Sequence, residues 1–503
     1  MELPWIKMLE TVFNLPLQQR QNIAIIGAGA MGVSTACILA RLGIAKVSVF
    51  EAESKVFNKN GASINNTGIL HHFVYGAHKK TLEHLFKQSL LFKKLMPEYV
   101  FGDSYVNYLV PNEIGNTAIN QEGITYKDVA ASLVEIYQQH LKKYHNETIF
   151  GKPEYLVKIL DQEAIKPLLG NFDPAKQDIA GAVKVRQFVL NIAEYVSHMI
   201  NLFNSLVKEN FVDIHYNNEV RNIAINSQNF ELKINHNNQL YFDTIVNAGY
   251  AKGLGIAIPE LKFEQYIEGN LVKLKVYGIY KIPSDLKKQF PEIDKRFSST
   301  MLIRGQYGGI IKVGYDHLAI FSGREYNQAE LDFPLAETPK TIPKQWLDNL
   351  EKITGRTEAE MLSTIKQDIS RWIPWAKGLE NIKLKKAVQV YPGRKTTDEV
   401  DAAKRDDNPI RYLYHHKNGG KYIHIPGFKL TSIPYNAFQV VLEILSTYVC
   451  QGILTQEQVD KHITIDQNQH IILSPEMESA LGKNLSQLAV SEREKIIDEW
   501  GIY

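Results

Sequence analysis

A chain of 503 residues, 44% hydrophobic and 22% charged, has the composition of a folded globular protein and exceeds the usual span of one hydrophobic core, so two domains are expected, interleaved or in series. Its 57 Lys+Arg against 55 Asp+Glu leave a net charge of +2, and no dense basic block is interleaved with aromatics, which excludes the electrostatic footprint of a nucleic-acid binder. The two cysteines, Cys37 and Cys450, lie far apart without CxxC spacing, so neither a disulfide framework nor a thiolate metal site is expected, and a reducing, cytoplasmic setting is the default.

Residues 1–21 carry Trp5, Ile6, Met8, Leu9, Val12 and Phe13 at roughly helical spacing, without the basic region and clean apolar stretch of a signal peptide. They read as a short helix packed on the body, with peripheral membrane contact as the second reading. No run of about 18 or more apolar residues occurs, so no transmembrane segment is expected.

The first segment with chemical content follows. Ile23, Ala24, Ile25 and Ile26 suit a buried parallel strand, and the chain passes directly into Gly27-Ala28-Gly29-Ala30-Met31-Gly32 and a helix of small and aliphatic residues. This is the context a dinucleotide motif requires. Gly27 permits the tight turn, Gly29 lets the backbone approach a pyrophosphate, and Gly32 lets helix lie close on strand, while the first N–H groups of the helix face the phosphates. A second apolar strand, KVSVFE, ends in Glu51, roughly 20 residues on, where a ribose-binding carboxylate belongs and where a 2′-phosphate would be repelled. Glycine-rich turns also serve structure alone, but strand, helix, second strand and acid together favour nucleotide binding. NAD and FAD both remain open at this point, since GAGAMG suits an NAD-dependent 3-hydroxyacid dehydrogenase equally well.

GASINNTGILHH, residues 61–72, makes a poor core strand and an odd surface loop. Beyond it, Leu82, Leu85, Phe86 and Leu90 have helical period, while SYVNYLV, NLVKLKVYGIY and GGIIKVGYDHLAIF read as strands. From FVDIHYNN onwards, alternating strands lead to Ile245-Val246-Asn247-Ala248-Gly249. After Pro434, YNAFQVVLEILSTYVC reads as a closing helix. The last 50 or so residues hold no chemical motif. They contain capping-box spacing at Ser491 and Glu494, and a structural cap or an oligomer contact is expected there.

Asn66-Thr67-Gly68-Ile69-Leu70-His71-His72-Phe73-Val74-Tyr75 resembles the flavin-lining segment of the D-amino-acid-oxidase superfamily of FAD-dependent oxidoreductases, with features of its L-2-hydroxyglutarate oxidase branch. His72 and Phe73 stand where that family usually has small residues. Two further segments carry the resemblance: the strand from Val220 with the end at Ala248-Gly249, and the stretch from Gly393-Arg394 through Gly427 to Pro434. YLVKILDQEAIKPLL and EGNLVKLKV also match, although Lys395 replaces a proline and Glu268 an arginine.

The resemblance implies an α/β protein with an α+β substrate domain, a Rossmann-type FAD-binding domain being interleaved with an antiparallel-sheet substrate domain. The FAD domain would comprise 22–80, 180–260 and 390–450, the substrate domain 81–179 and 261–389, and 451–503 would be a helical extension. It implies FAD contacts at Gly27, Gly29, Ala30, Met31, Gly32, Glu51, Ser63, Asn66, Thr67, Gly68, Val220, Ala248, Gly249, Gly427, Lys429, Leu430 and Thr431.

The implied substrate is a small carboxylate with an α-amine or α-hydroxyl. A guanidinium grips a carboxylate with two hydrogen bonds, and Arg394 takes that role by its match; Arg304 and Arg324 read as solvated charges. His71 would take the proton of a hydroxyl substrate, or position an amine. His72, its neighbour, would face the protein or the cofactor. Lys273 and Tyr391 are expected to face the pocket. Covalent flavin attachment through either histidine is compatible with the resemblance, and oxygen, a quinone or another protein would take the electrons. An NAD-dependent 3-hydroxyacid dehydrogenase and a non-catalytic flavin-binding scaffold are the competing readings. No metal is expected.

Overall fold

A computed structural model describes residues 12–13, 15–58, 61–73, 79–112, 125–143, 150–234, 238–256, 258, 270–291, 299–302, 308–313, 316–322, 327–333, 342–343, 346, 349–392, 412–425, 429–465 and 471–477. The chain opens with β1 (Gln21–Ile26), α1 (Ala30–Leu42) and β2 (Ala45–Phe50), with β1 and β2 parallel and in register from Gln21↔Ala45 to Ile26↔Phe50. Every residue of α1 is buried, which is why its sequence is apolar or small all round rather than amphipathic. Gly43, at φ 65, ends it in the left-handed conformation that a residue without Cβ adopts freely.

Next come β3 (Ile69–Leu70), α2 (Lys79–Leu95), β4 (Val100–Pro111), α3 (Tyr126–Lys143), β5 (Val157–Leu160) and β6 (Ile179–Leu190). Then follow α4 (Ile192–Lys208), β7 (Val212–His215), β8 (Val220–Ile225), β9 (Phe230–Ile234), β10 (Asn238–Phe242) and β11 (Thr244–Asn247). The second half supplies β12 (Asn270–Lys281), β13 (Ser299–Leu302), β14 (Gly309–Lys312), β15 (His317–Phe321) and β16 (Asn327–Phe333). It continues with α5 (Glu358–Ser370), β17 (Glu380–Pro392), β18 (Tyr412–His415), β19 (Lys421–His424), α6 (Ile433–Cys450), β20 (Ile463–Ile465) and β21 (Ile471–Leu473).

Two large sheets organise these elements. One has six strands in the order β18-β19-β11-β1-β2-β7, parallel throughout except for β18. Its central strands are buried on both faces: Ile23, Ile25, Val47 and Val49 pack in the core that holds α1, α4 and α6, whereas Ala24, Ile26, Phe50 and Ile245 pack against Val220, Ile223, Phe230, Leu232 and Phe242 of β8, β9 and β10. The other has ten strands, β16-β12-β15-β14-β13-β4-β6-β3 with β17 on β12 and β5 on β6, antiparallel except where β13 meets β4. A three-stranded antiparallel sheet, β10-β9-β8, lies between β7 and β11 in the chain.

The large sheet has two distinct faces. Leu109, Ala182, Tyr280, Leu318 and Ile320 pack with Leu362, Ile365 and Ile369 of α5 and with Trp375. On the opposite face Val106, Tyr108, Val183, Val185, Tyr277 and Ile279 join the main core, which also holds α1, α2, α4 and α6. Each fully buried Leu, Ile or Phe there stabilises by about 1.5–3 kcal/mol relative to exposure. The segment after α6 shares that core through Val459, Ile463, Leu473 and Met477, and the Phe13 ring meets His462 edge-on.

Candidate active site

The glycine turn is closed on two sides and open on the third. Gly27 has φ +94, and a Cβ there would lie 2.9 Å from Gly249 Cα and 3.0 Å from the Ala248 carbonyl oxygen. A Cβ on Gly32 would fall 1.8 Å from the Gly27 carbonyl oxygen. Gly29 is different: it is the N-cap of α1, with φ −78, and a Cβ would meet nothing nearer than the Ser63 hydroxyl at 3.5 Å. Gly27 and Gly32 are therefore required by the protein itself, whereas the space over Gly29 is left open. Ala30 and Met31 follow at the buried helix start. The Ala30 N–H donates to Ser63 Oγ at 3.1 Å.

Glu51, at the tip of β2, holds the turn from the other side. Its Oε2 accepts from the Ala28 N–H at 2.7 Å and its Oε1 from the Glu53 N–H at 3.0 Å. Burial raises its pKa, opposed by those two N–H groups and by Lys252. Val220 begins β8 and packs with Ile26 and Phe50, the last residues of β1 and β2. Ala248 N–H donates to the Ile26 carbonyl at 2.9 Å, which seats Ala248-Gly249 against Gly27. The Asn247 amide fixes this strand end, donating to Gly253 O and Tyr422 Oη, both at 3.0 Å.

Residues 61–73 run from this cradle to the edge of the large sheet. Beyond Ser63, Asn66 Oδ1 accepts from the Gly68 N–H at 2.9 Å, a turn that includes Thr67. Gly68 has φ +83, and a Cβ would strike the Leu190 carbonyl at 2.4 Å. The Leu190 N–H donates to Gly68 O at 2.7 Å, and β3 then pairs with β6 through Ile69↔Val189 and Leu70↔Phe188. Tyr108 donates to Phe73 O at 3.2 Å and accepts from Gln187 Nε2 at 2.6 Å.

Between these ties the two histidines part. His72 is wholly buried among Phe86, Phe150 and Phe188, its Nε2 2.7 Å from Arg186 O, and burial pushes its pKa down to about 4. It is a neutral structural residue facing the protein. His71 is half-buried.

A third segment closes on the same place. Lys429 caps a short turn, Leu430–Ser432, that leads into α6 and packs against β3. Leu430 and Thr431 are buried, and Thr431 Oγ1 has no hydrogen-bond partner among the described residues. Ser432 donates to Gln88 on α2. On the large sheet, Lys273 is buried with its ammonium 3.0 Å from Glu330 and 5.7 Å from the centre of the Tyr391 ring. The next backbone group, the Val390 N–H, donates to Tyr250 Oη at 3.1 Å, tying β17 to the strand end at Ala248-Gly249.

The structure thus brings the glycine turn, Glu51, Ser63, Asn66–Gly68, Ala248-Gly249 and the Lys429–Thr431 turn into one neighbourhood. Arg394 and Gly427 lie outside the described residues, as do Val74, Tyr75, Glu268, Lys395, Arg304, Arg324 and the Ser491 helix. Sequence reading missed Tyr250, whose position directly after Asn247-Ala248-Gly249 was the available signal; the structure gives it φ 51.

The residues present fit a dinucleotide. Gly29 leaves a gap a Cβ would fill, the start of a buried helix offers N–H groups, Glu51 is pinned at the tip of β2 beside the turn, and Thr431 carries a hydroxyl with no hydrogen-bond partner among the described residues. Glycine turn, acid-tipped second strand and parallel sheet, set beside a large, mostly antiparallel sheet, define a dinucleotide-binding protein of mixed α/β architecture.

Its family is given by comparison with known proteins. A profile described as DAO, FAD dependent oxidoreductase, matches residues 22–357, and the chain belongs to that family. Among solved structures it is similar to glycine oxidase from Geobacillus kaustophilus, at 14% identity over 85% of this chain and 95% of that one, with TM-score 0.53. L-Proline dehydrogenase from P. horikoshii aligns at 16% identity over 88% and 96%, with TM-score 0.52. A modified fructosyl peptide oxidase from Aspergillus nidulans aligns at 14% over 85% and 91%, with TM-score 0.57. No curated protein sequence matches the chain. The protein is an FAD-dependent oxidoreductase, and the NAD-dependent and non-catalytic alternatives are set aside. Among the described residues no helix is long and apolar enough to cross a membrane.

Proposed function

We propose that the protein oxidises the carbon bearing the amine or hydroxyl of a small amino acid or 2-hydroxy acid. The observation that carries this reading is the course of residues 61–73. That segment starts at the helix that would receive the pyrophosphate, where Ser63 meets Ala30, and delivers His71 directly after β3, beside the Lys429–Thr431 turn. In this reading the six-stranded sheet carries the cofactor and the ten-stranded sheet covers the substrate. Bound FAD supplies a hydride acceptor at N5.

The chain's own residues do the remainder. Gly27, Gly29, Gly32 and the start of α1 hold the pyrophosphate, Glu51 the ribose, Val220 the adenine end, and Asn66–Gly68 with Leu430 and Thr431 the ring system. His71 accepts the proton of a hydroxyl substrate or orients an amine, and Arg394 grips the substrate carboxylate. Amine chemistry is the first to test, because structures of the same fold are named for glycine, L-proline and fructosyl peptide.

The experiment is an anaerobic spectrum of the purified flavoprotein with L- and D-amino acids and 2-hydroxy acids. Bleaching by one class supports the reading and selects the chemistry; bands that stay oxidised with every compound overturn it. With a hydroxy acid, His71→Gln is expected to slow flavin reduction about 10²- to 10⁴-fold. With an amine the loss is smaller, and wild-type rates on either class would remove His71 from the mechanism.

A further inference from the structure

The chain on either side of His71 is tied step by step to β6. The Leu190 N–H donates to Gly68 O, Ile69 pairs with Val189, and Leu70 pairs with Phe188. The next step along the same register would set His71 opposite Gln187, and there the ladder stops. Beyond it side chains take over: His72 Nε2 lies 2.7 Å from Arg186 O, and the Phe73 carbonyl accepts from Tyr108 Oη at 3.2 Å. His71 therefore stands between two fixed points, a backbone ladder before it and side-chain hydrogen bonds after it.

Tyr108, on β4, is itself oriented from β6. Gln187 Nε2 donates to Tyr108 Oη at 2.6 Å, and a phenol that accepts there can turn its own proton onto Phe73 O. Both side chains are buried, and the Phe73 and Tyr108 rings lie 4.8 Å apart between centres. Val183 and Val185, which share Gln187's face of β6, are apolar members of the main core. The Gln187 carbonyl oxygen has no hydrogen-bond partner among the described residues, so an apolar side chain would sit there at lower cost. A packing rule broken in this way inside a core is a mark of function.

We propose that Tyr108 and Gln187 are positioning residues for His71: by holding the Phe73 carbonyl they set how the imidazole meets the proton-bearing group of the substrate. This rests on the role given to His71 above and adds the pair that aims it. Neither residue touches the substrate in this scheme. A misplacement of about 1 Å at a reacting group costs up to about 10²-fold in rate.

The test is anaerobic single-turnover flavin reduction of the holoenzyme, with the amino or 2-hydroxy acid that bleaches it fastest. Wild type, Tyr108→Phe, His71→Gln and the double variant form a cycle. With a hydroxy acid, Tyr108→Phe is expected to lower the limiting rate about 10- to 100-fold, and by no more than His71→Gln does. The substrate dissociation constant should stay within about 3-fold and FAD should remain bound. On top of His71→Gln the same change should cost no more than about 2-fold, because no imidazole is left to aim. With an amine both losses shrink together. Gln187→Met reaches the same hydroxyl from its other side and should give the same pattern.

A Tyr108→Phe enzyme that reduces its flavin at the wild-type rate overturns the inference and leaves the broader reading standing. So does a loss repeated in full on top of His71→Gln, or one confined to substrate affinity. If one variant fails to fold, the other decides; if neither Tyr108→Phe nor Gln187→Met folds and retains FAD, the pair is structural and the inference falls. A flavin that no compound bleaches, or a His71→Gln enzyme at wild-type rates, removes the reading beneath it, and the inference with it.

Discussion

The three glycines of the nucleotide turn should fail in different ways. On Gly32 an added methyl would sit 1.8 Å from the Gly27 carbonyl oxygen, more than an ångström inside van der Waals contact, and both partners are backbone. Helix α1 would have to move off β1, and forced overpacking of this kind costs about 1–3 kcal/mol or more. Gly29→Ala meets only the Ser63 hydroxyl, at an ordinary 3.5 Å, with φ already at −78. Restricting the unfolded chain gains about 0.4–1 kcal/mol, while the weaker N-cap loses about 0.5–1 kcal/mol, so apoprotein stability should stay within about 1 kcal/mol of wild type.

Under the proposed function the pyrophosphate lies over Gly29, so the same methyl would fill its place and FAD affinity should fall at least about 10-fold, or ~1.4 kcal/mol. The assay is a pair of measurements on each variant: the urea midpoint of the apoprotein, and the FAD dissociation constant from flavin fluorescence. Gly32→Ala should lose both, and Gly29→Ala only the second. A Gly29→Ala protein that binds FAD like wild type, or whose apoprotein unfolds as easily as that of Gly32→Ala, refutes the reasoning.

Two further outcomes follow from buried charge. His72 has a folded pKa of about 4 against about 6.5 unfolded, so it contributes stability above pH 6.5 that is lost as pH falls towards 4. His72→Phe should flatten the stability profile across that window by up to about 3 kcal/mol, read as urea midpoints at pH 7 and pH 4; parallel profiles would contradict the assignment. Lys421 is buried at the start of β19, its ammonium 2.8 Å from the Glu443 carboxylate and 2.6 Å from Ser446 Oγ. Lys421→Met should cost about 1–3 kcal/mol by stranding those acceptors, and adding Glu443→Leu should recover part of it; a double variant no more stable than the single would argue against the pair.

Local patterns made the nucleotide half legible. Ile23–Ile26, Gly32 and the start of α1 are readable because their structural roles depend on neighbours within one βαβ unit. The half-buried or buried state of adjacent histidines was also within reach, since consecutive side chains of an extended chain diverge. Strand partners in the large sheet were not. Nothing local to Ile179–Leu190 indicates that it pairs with β4 along one edge and with β5 and β3 along the other, or that Glu380–Pro392 returns to β12. Those pairings bring distant segments together through side-chain packing, which a single sequence does not display.

The strand order of the six-stranded sheet also bears on synthesis. β1 leaves the ribosome early, but the neighbour on its far side, β11, ends at Asn247, and β11 in turn waits for β19 at Lys421–His424. At about 5–20 residues per second, that is tens of seconds during which the nascent cofactor cradle has an unpaired edge. Tyr448 completes the arrangement, its hydroxyl accepting from the Gln21 N–H at 2.8 Å and donating to Ile44 O, which ties the start of β1 to the residue before β2. Messages truncated before that tyrosine should yield colourless, chaperone-bound chains, and flavin loading should be a late, post-release event in the life of this enzyme.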